Sequence, residues 1–307
     1  MAAYLELCRS GKLAERVEAA RALLETCRVC PRCCGTNRLD GDVGKCRTAN
    51  EAMVSSYGPH FGEESPLVGK YGSGTIFFTN CNLRCLFCQN YSISQLGEGE
   101  RVSKEELALM MLSLQARGCH NINLVSPTHV VPQILEALDI AVESGLHVPL
   151  VYNTGGYDSV ETLSILDGIV DIYMPDMKYG DENIARELSG IENYPQVNKA
   201  AIREMHRQVG DLQTSQEGVA QRGLLVRHLV LPKGLAGTKD VVDFIAKEIS
   251  ANTYVNIMAQ YHPCYKAHEI PSLAVRISKA ELREAVELAH QAGLSRLDQA
   301  QAIVLQL

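Results

Sequence analysis

The sequence predicts an α/β fold in which a cysteine-rich N-terminal extension precedes a regular alternation of strands and helices. Six segments rich in Val, Ile and Leu are each followed by a helical pattern, which is typical of a parallel sheet with helices outside it. A complete barrel of this kind has eight such units. Six units therefore predict an open, partial (β/α)6 TIM-type barrel.

The N-terminal part of the chain has a different character from the rest. Residues 1–26 have apolar positions at helical spacing and are predicted to be helical. From Cys27 to about Gly74 the chain is rich in Gly, Pro, Cys and Arg. We expect an irregular segment there whose order comes from a bound metal. The prediction is a helical and metal-binding extension at 1–72 and a barrel domain at 73–307.

The regular alternation begins at Ser73. Strands are predicted at 74–79, 122–125, 148–153, 170–175, 224–231 and 254–260. Helices are predicted at 104–117, 131–144, 160–166, 182–188, 195–209, 239–249 and 279–292. Ser103 and Glu106 have the spacing of a capping box at the start of the first of these helices. Right-handed crossovers place the carboxyl ends of parallel strands on one rim, so the residues after each strand are expected to meet there.

Charge and composition argue against several classes of protein. The 307 residues include 29 basic and 36 acidic ones, a net charge of −7, whereas nucleic-acid binding requires clustered positive charge. No apolar run approaches the length of a membrane-spanning helix, and the first residues do not resemble a secretory signal. We therefore expect a cytoplasmic protein. Eight of its 11 cysteines lie between Cys27 and Cys88, and this clustering indicates metal or redox chemistry rather than disulfides.

Three cysteines directly follow the first predicted strand. Cys81, Cys85 and Cys88 have the spacing C-x3-C-x2-C. Three thiolates on one short loop can bind a [4Fe–4S] cluster and leave one of its four irons open. An open metal position is typical of a reactive site. The loop therefore predicts a reactive cluster on the rim of the barrel.

This motif at the first strand of a six-unit barrel resembles the radical SAM superfamily. In that superfamily S-adenosylmethionine (SAM) chelates the open iron, and one-electron reduction yields a 5′-deoxyadenosyl radical that abstracts hydrogen. Segments at 72–75, 88–90, 153–156, 176–178 and 261–263 resemble a branch of the pyruvate formate-lyase activating enzymes. That resemblance implies activation of a glycyl radical enzyme and an external one-electron donor such as flavodoxin or ferredoxin.

The resemblance also implies which side chains contact SAM. These are Phe87, Ser126, Thr128, Asn153, Thr154, Asp176, Lys178, Arg227 and His262. Phe87 would pack on the adenine, and Lys178, Arg227 and His262 would contact the carboxylate and the ribose. Activating enzymes usually carry Gly-Gly-Glu after the second strand, where this chain has Ser-Pro-Thr. Hydroxyl and carbonyl oxygens are expected to accept from the SAM amino group there.

A second group of cysteines lies in the N-terminal segment, at 27, 30, 33, 34 and 46. Cys27, Cys30, Cys34 and Cys46 are predicted to bind a second metal. Cys33 is expected to be spare because adjacent thiols rarely reach one ion together. Full thiolate coordination is typical of a closed site that holds zinc or an auxiliary iron–sulfur cluster. The sequence does not separate these two, and unligated thiols are the alternative.

Other functions stay open on the sequence alone. One is radical modification of a small molecule, another protein or RNA, which the missing Gly-Gly-Glu and the extended N-terminal segment keep open. Another is a non-enzymatic iron–sulfur or zinc protein, for which the polar strand ends would have to be incidental. His60, Glu63 and Glu64, before the first strand, either shape a substrate mouth or form a hydrogen-bond network within their loop.

Overall fold

A curved sheet forms the centre of the computed structural model, which describes residues 2–298. The strands in this range are β1 (Ala52–His60), β2 (Ser73–Phe78), β3 (Glu100–Val102), β4 (Ile122–Val125), β5 (Leu150–Thr154), β6 (Ile172–Pro175), β7 (Gln213–Thr214), β8 (Ala220–Leu229) and β9 (Tyr254–Met258). β2, β4, β5, β6, β8 and β9 pair in parallel in that order. These are the six predicted strands, and the predicted fold class is confirmed.

Helices connect the parallel strands and pack against the sheet. They are α1 (Tyr4–Arg9), α2 (Lys12–Ala22), α3 (Ser65–Val68), α4 (Lys104–Ala116), α5 (Val131–Glu143), α6 (Val160–Ile165), α7 (Glu182–Ser189), α8 (Tyr194–Val209), α9 (Thr238–Phe244) and α10 (Lys279–Ala292). Single π-helical turns lie at Ser92–Leu96 and Ile245–Ile249, and 3-10 turns lie at Pro232–Gly234 and Tyr265–Glu269. The capping box of Ser103 and Glu106 forms as predicted. Within 2–298, no helix has the length and apolar character needed to cross a membrane.

Three antiparallel strands extend the sheet beyond the six that were predicted. β1 pairs with β2, β3 pairs with β1, and β7 pairs with β8. The expectation of an irregular chain from Cys27 to about Gly74 is therefore wrong for the part that forms β1. This strand has a bulge between Val54 and Ser56, and its residues after Val54 are exposed or half-buried. No apolar run marks such a strand in the sequence.

The N-terminal helices are part of the main core. α1 and α2 pack on α5, and Leu13 is buried in the same apolar cluster as the barrel helices. Burial of a leucine side chain contributes about 1.5–3 kcal/mol. The Tyr4 hydroxyl donates to the Val148 carbonyl at 2.8 Å. The division at 72/73 stays a prediction, and Met1 and 299–307, which it includes, lie outside the described residues.

Candidate functional site

The three cysteines after β2 line one cavity together with polar residues from the other strand ends. The volume of this cavity, which we call the cluster cavity, is about 140 Å³, and Cys81, Cys85 and Cys88 all line it. The predicted SAM contacts that also line it are Ser126, Asn153, Thr154, Asp176, Lys178 and Arg227. The structure therefore brings together the predicted cysteine loop and most of the predicted contact residues.

Two non-glycine residues with left-handed backbone conformation shape this cavity. Asn80 (φ 71°) lies between β2 and Cys81, and Ser126 (φ 58°) follows β4. The Asn80 N–H donates to the Ile93 carbonyl at 3.0 Å, and the Ser126 N–H donates to the Asn153 carbonyl at 2.9 Å. Such conformations cost about 1–3 kcal/mol each and persist where the surrounding contacts impose them. Here they turn the chain at the two strand ends where the cavity forms.

The cavity thiols are poorly suited to ionise unless positive charge lies close to them. Burial raises the pKa of Cys81 to about 12 and also raises the pKa of Cys85, and the Lys178 ammonium only partly offsets this. The Cys88 sulfur lies 3.1 Å from the Ser94 hydroxyl. Metal binding requires thiolates, and a bound metal centre itself supplies the positive charge that stabilises them. Three cysteine sulfurs that line the same cavity are the kind of ligands that bind an iron–sulfur cluster.

A buried ion triad lies opposite the thiols. One carboxylate oxygen of Asp176 accepts from the Arg227 Nε at 2.9 Å, and the other accepts from the Lys178 Nζ at 2.5 Å. Arg227 also donates to the Asn153 side-chain oxygen at 2.7 Å. Burial opposes ionisation of Asp176, yet Arg227 and Lys178 hold the pKa of that carboxyl below its usual range. The triad itself has two cations to one carboxylate, which suits an anionic ligand group, and Glu64, 3.7 Å from Arg227, offsets part of this positive charge.

Asp158 is a site residue that the sequence analysis missed. Its buried carboxylate accepts from the hydroxyls of Thr128 at 2.7 Å, Tyr152 at 3.0 Å and Thr154 at 2.7 Å. The hydroxyls of Thr128 and Thr154 also lie 2.9 Å apart. Thr128 thus contacts Thr154 and Asp158, and it is not among the residues that line the cluster cavity. Its direct contact with SAM stays a prediction. The visible signal for Asp158 was a lone acidic residue after a Gly-Gly turn.

Phe87 and His262 are not among the residues that line the cluster cavity. Phe87 lines an adjoining cavity, which shares six lining residues with the first: Cys85, Cys88, Asn90, Asp176, Lys178 and Arg227. Its ring makes an edge contact with Tyr261 at a centroid distance of 6.1 Å. The Nδ1 of His262 lies 3.2 Å from the Gln260 carbonyl, and the side chain lines neither cavity. The predicted adenine and ribose contacts stay predictions.

The N-terminal thiols at 27, 30, 34 and 46 lie close enough to influence one another electrostatically, and a metal bound by them stays a prediction. Cys27, Cys30 and Cys46 are buried and Cys34 is half-buried, whereas Cys33 is exposed. Burial raises the pKa of Cys30 to about 12, and its neighbouring thiols at 46, 27 and 34 add to the effect. Burial also acts on Cys34, but hydrogen bonds from backbone N–H groups lower its pKa to about 7. The exposed thiol is the one that was predicted to be spare.

A buried arginine beside these thiols has no acidic partner in any ion pair of the described residues. Arg38 is fully buried, and its Nη1 donates to the His129 carbonyl at 2.9 Å and lies 3.8 Å from the Cys27 sulfur. Its Nη2 has no hydrogen-bond partner in the described range. A buried charge is costly unless an opposite charge compensates it. The Cys27 sulfur, which Arg38 contacts, can supply that negative charge as a thiolate.

The cysteine side chains of the described residues are not arranged as ligands of a single metal ion. Between residues 2 and 298, no three His, Cys, Asp or Glu side chains form a group that could hold a metal ion. A [4Fe–4S] cluster has a different requirement, since each cysteine binds its own iron. The cluster cavity therefore meets that requirement in its donor set.

Comparison with known proteins adds family relationships to this geometry. A family model described as the radical SAM superfamily matches residues 75–220. The uncharacterized protein MJ0674 of Methanocaldococcus jannaschii is 32% identical over 300 residues, which cover 94% of this chain and 82% of that protein. A second protein of that organism, the uncharacterized protein MJ0808, is 24% identical over 284 residues, covering 85% of this chain and 78% of that protein.

One solved structure has a similar fold. It is a radical SAM methyltransferase from Sphaerobacter thermophilus, with a TM-score of 0.50 and 14% sequence identity. The alignment covers 72% of this chain and 64% of the methyltransferase, so this chain spans less than two thirds of that protein's length. The similarity concerns the arrangement of strands and helices.

Proposed function

The chain belongs to the radical SAM superfamily, and on this basis we propose that it is an enzyme that cleaves SAM reductively and abstracts hydrogen from a substrate. The observation that carries the proposal is the cluster cavity, where three cysteines meet the Asp176, Lys178 and Arg227 triad. When bound, the cluster and SAM supply an electron transfer that breaks a carbon–sulfur bond and leaves methionine and a 5′-deoxyadenosyl radical.

The residues of the chain have separate tasks in this proposal. Cys81, Cys85 and Cys88 hold three irons and leave the fourth for SAM. The net positive triad attracts the SAM carboxylate, because charge-assisted hydrogen bonds from Lys or Arg to a carboxylate are strong. At Ser126 the chain offers hydroxyl and carbonyl oxygens to the SAM amino group, in place of a carboxylate.

An external reductant and a hydrogen donor complete the proposal. The reductant is a one-electron carrier such as flavodoxin or ferredoxin. The resemblance of the segments at 72–75, 88–90, 153–156, 176–178 and 261–263 to pyruvate formate-lyase activating enzymes favours a glycyl radical enzyme as the substrate protein. Modification of another molecule is the second candidate, which the Ser-Pro-Thr in place of Gly-Gly-Glu after β4 favours.

The function is tested by measuring SAM cleavage in the isolated protein. The chain is reconstituted with iron and sulfide without oxygen, reduced, and supplied with SAM. We expect release of 5′-deoxyadenosine and methionine in equal amounts. A fully reconstituted and reduced protein that does not bind SAM contradicts the proposal and favours a non-enzymatic iron–sulfur protein.

The N-terminal thiols hold a second, structural metal in this proposal. Support comes from the gathering of Cys27, Cys30, Cys34 and Cys46 and from the buried charge of Arg38, which an anionic metal–thiolate centre compensates. The metal is zinc or an auxiliary cluster, and metal analysis distinguishes them.

Substitution of Cys30 by Ser is expected to remove this metal. Cys30 is buried among the other three thiols, so its loss leaves a site with three donors and lower affinity. The amount of zinc per chain, or of iron if the site holds a cluster, is measured by mass spectrometry. It should fall by the number of metal ions that this one site holds. The neighbouring Cys33→Ser variant is the control, because that thiol is exposed. Equal metal content in Cys30→Ser and the wild type contradicts the assignment.

A further inference from the structure

Basic side chains lie along the cysteine loop at 81–88. Arg84 belongs to this loop, and its Nη2 donates to the Lys45 carbonyl at 2.7 Å. The Nε of Arg32 donates to the Asn82 carbonyl of the same loop at 2.9 Å. The N-terminal segment that contains Arg32 and Lys45 is therefore in direct contact with the loop. We call the basic side chains of this region the cationic face, which consists of Arg32, Lys45, Arg47 and Arg84.

The cations of this face have no carboxylate partner. Within residues 2–298, none of the four belongs to an ion pair. Desolvation and the neighbouring guanidinium of Arg84 lower the pKa of Arg47. The groups that raise this pKa are Tyr265 and Cys46, with no Asp or Glu of the described residues among them. Around Arg47 the face therefore presents positive charge that no carboxylate compensates, although the whole chain has a net charge of −7.

A short chain of contacts joins this face to the cluster cavity. The Nη2 of Arg47 donates to the Ser94 carbonyl at 3.2 Å, and the Ser94 hydroxyl lies 3.1 Å from the Cys88 sulfur. Arg47 and Lys45 are exposed, whereas Ser94 lines the cluster cavity. One residue therefore separates an exposed cation from a cavity thiol. A protein that docks on this face comes close to the position at which the cluster would be held.

Exposed apolar side chains border the cations. Val43 and Leu96 are each 59% exposed. Val43 lies two positions before Lys45, and Leu96 ends the π-helical turn that contains Ser94. Transient complexes between electron-transfer proteins bury less than about 1,200 Å² and depend on complementary charge for orientation. A mixed surface of this kind suits such a partner, whereas a nucleic acid makes about 6–10 phosphate contacts, more than these four cations supply.

Building on the function proposed above, we propose that the cationic face docks the external electron donor, a small acidic redox protein. The donor loses one electron and the cluster gains it, so the step needs no further reactant. Positive charge on the face attracts the acidic donor and orients it toward the cysteine loop. The net negative charge of the whole chain opposes docking only weakly, because exposed charges more than about 8 Å apart are largely screened at physiological ionic strength. Three of the four cations belong to the N-terminal segment, and this gives the segment a role in reduction of the cluster.

Equilibrium binding tests this inference independently of catalysis. A flavodoxin and a [2Fe–2S] ferredoxin, both acidic, are titrated calorimetrically in their oxidised form into the cluster-loaded protein. We expect at least one of them to bind at about 0.1 M salt and to bind at least about tenfold more weakly at about 1 M salt, where the Debye length has fallen from about 10 Å to about 3 Å. The one that binds more tightly identifies the class of donor. Absence of binding by both, or binding that does not depend on salt, overturns the inference.

Charge reversal identifies the surface responsible. Lys45→Glu and Arg47→Glu are each expected to weaken binding of the donor at least about tenfold. Arg283→Glu is the control and should bind as the wild type does, because Arg283 is an exposed cation on α10 and its substitution changes the net charge equally. If Arg47→Glu loses iron, Lys45→Glu, at an exposed position, decides alone. Unchanged affinity in the cluster-loaded variants overturns the inference.

Two further measurements separate the partners and the proposals. A single-stranded RNA that binds more tightly than both redox proteins, and loses affinity in the same variants, overturns the assignment of the partner. SAM cleavage by the wild type with dithionite as the reductant is recorded separately. SAM cleavage without binding of either redox protein refutes only the docking inference. Binding of a redox protein without SAM binding refutes the proposed function.

Discussion

The Cys88→Ala variant is expected to lose SAM cleavage. Cys88 supplies one of the three thiolates that line the cluster cavity, and two thiolates do not hold a reactive cluster. Release of 5′-deoxyadenosine should fall at least about a thousandfold, which corresponds to about 4 kcal/mol in activation free energy. Bound iron should fall at the same time. Both are measured on protein reconstituted in parallel with the wild type.

A matched control separates this effect from a general loss of thiols. Cys8 lies on α1, is half-buried and is not among the residues that line the cluster cavity. The Cys8→Ala variant should keep the iron content and the SAM cleavage of the wild type. A Cys88→Ala protein that retains wild-type iron and cleavage would show that the cluster is held elsewhere.

The Asp176→Asn variant is expected to be the least stable of the single substitutions in the site. The amide leaves Lys178 and Arg227 buried beside each other without the carboxylate that both contact. Breaking a buried ion pair in this way typically costs about 3–5 kcal/mol. Unfolding by urea, followed by circular dichroism of the cluster-loaded protein, should show a loss of that size.

Asp243 offers a control with a similar set of partners. It too contacts two cations, Lys239 at 2.7 Å and Lys247 at 3.2 Å, but the lysines lie at the surface, where water screens the interaction. The urea midpoint of Asp243→Asn should equal that of the wild type within error. Equal losses of unfolding free energy in the two variants would mean that the buried triad contributes no more to stability than ion pairs at the surface.

Much of the fold could be predicted because its signals are local in the sequence. Each parallel strand is a short apolar run, and each of the cysteines at 81, 85 and 88 belongs to one compact motif. The strand ends then meet because the crossovers have a fixed hand. Ser126 and Asp176 were found in this way, from their position directly after a strand, and Asn153 from its position at the end of one.

The parts that were missed depend on contacts between distant segments. β1 is recognisable only through its pairing with β2, because its residues after Val54 are exposed or half-buried. Asp158 is distinguished by burial among three hydroxyls, of which Tyr152 and Thr154 belong to β5 and Thr128 comes from the distant segment after β4. Glu64 acquires its character from Arg227 and Asn256, more than 160 positions away. A pattern of neighbouring residues in the sequence does not show which distant residues will contact Glu64.

The electron paramagnetic resonance spectrum of the reduced cluster, recorded with and without SAM, tests the central claim most directly. SAM that binds the open iron must change the electronic environment of the cluster, so we predict a clear shift of the signal in the wild type. The same spectrum with and without SAM, in protein whose cluster is complete and reduced, would contradict the account.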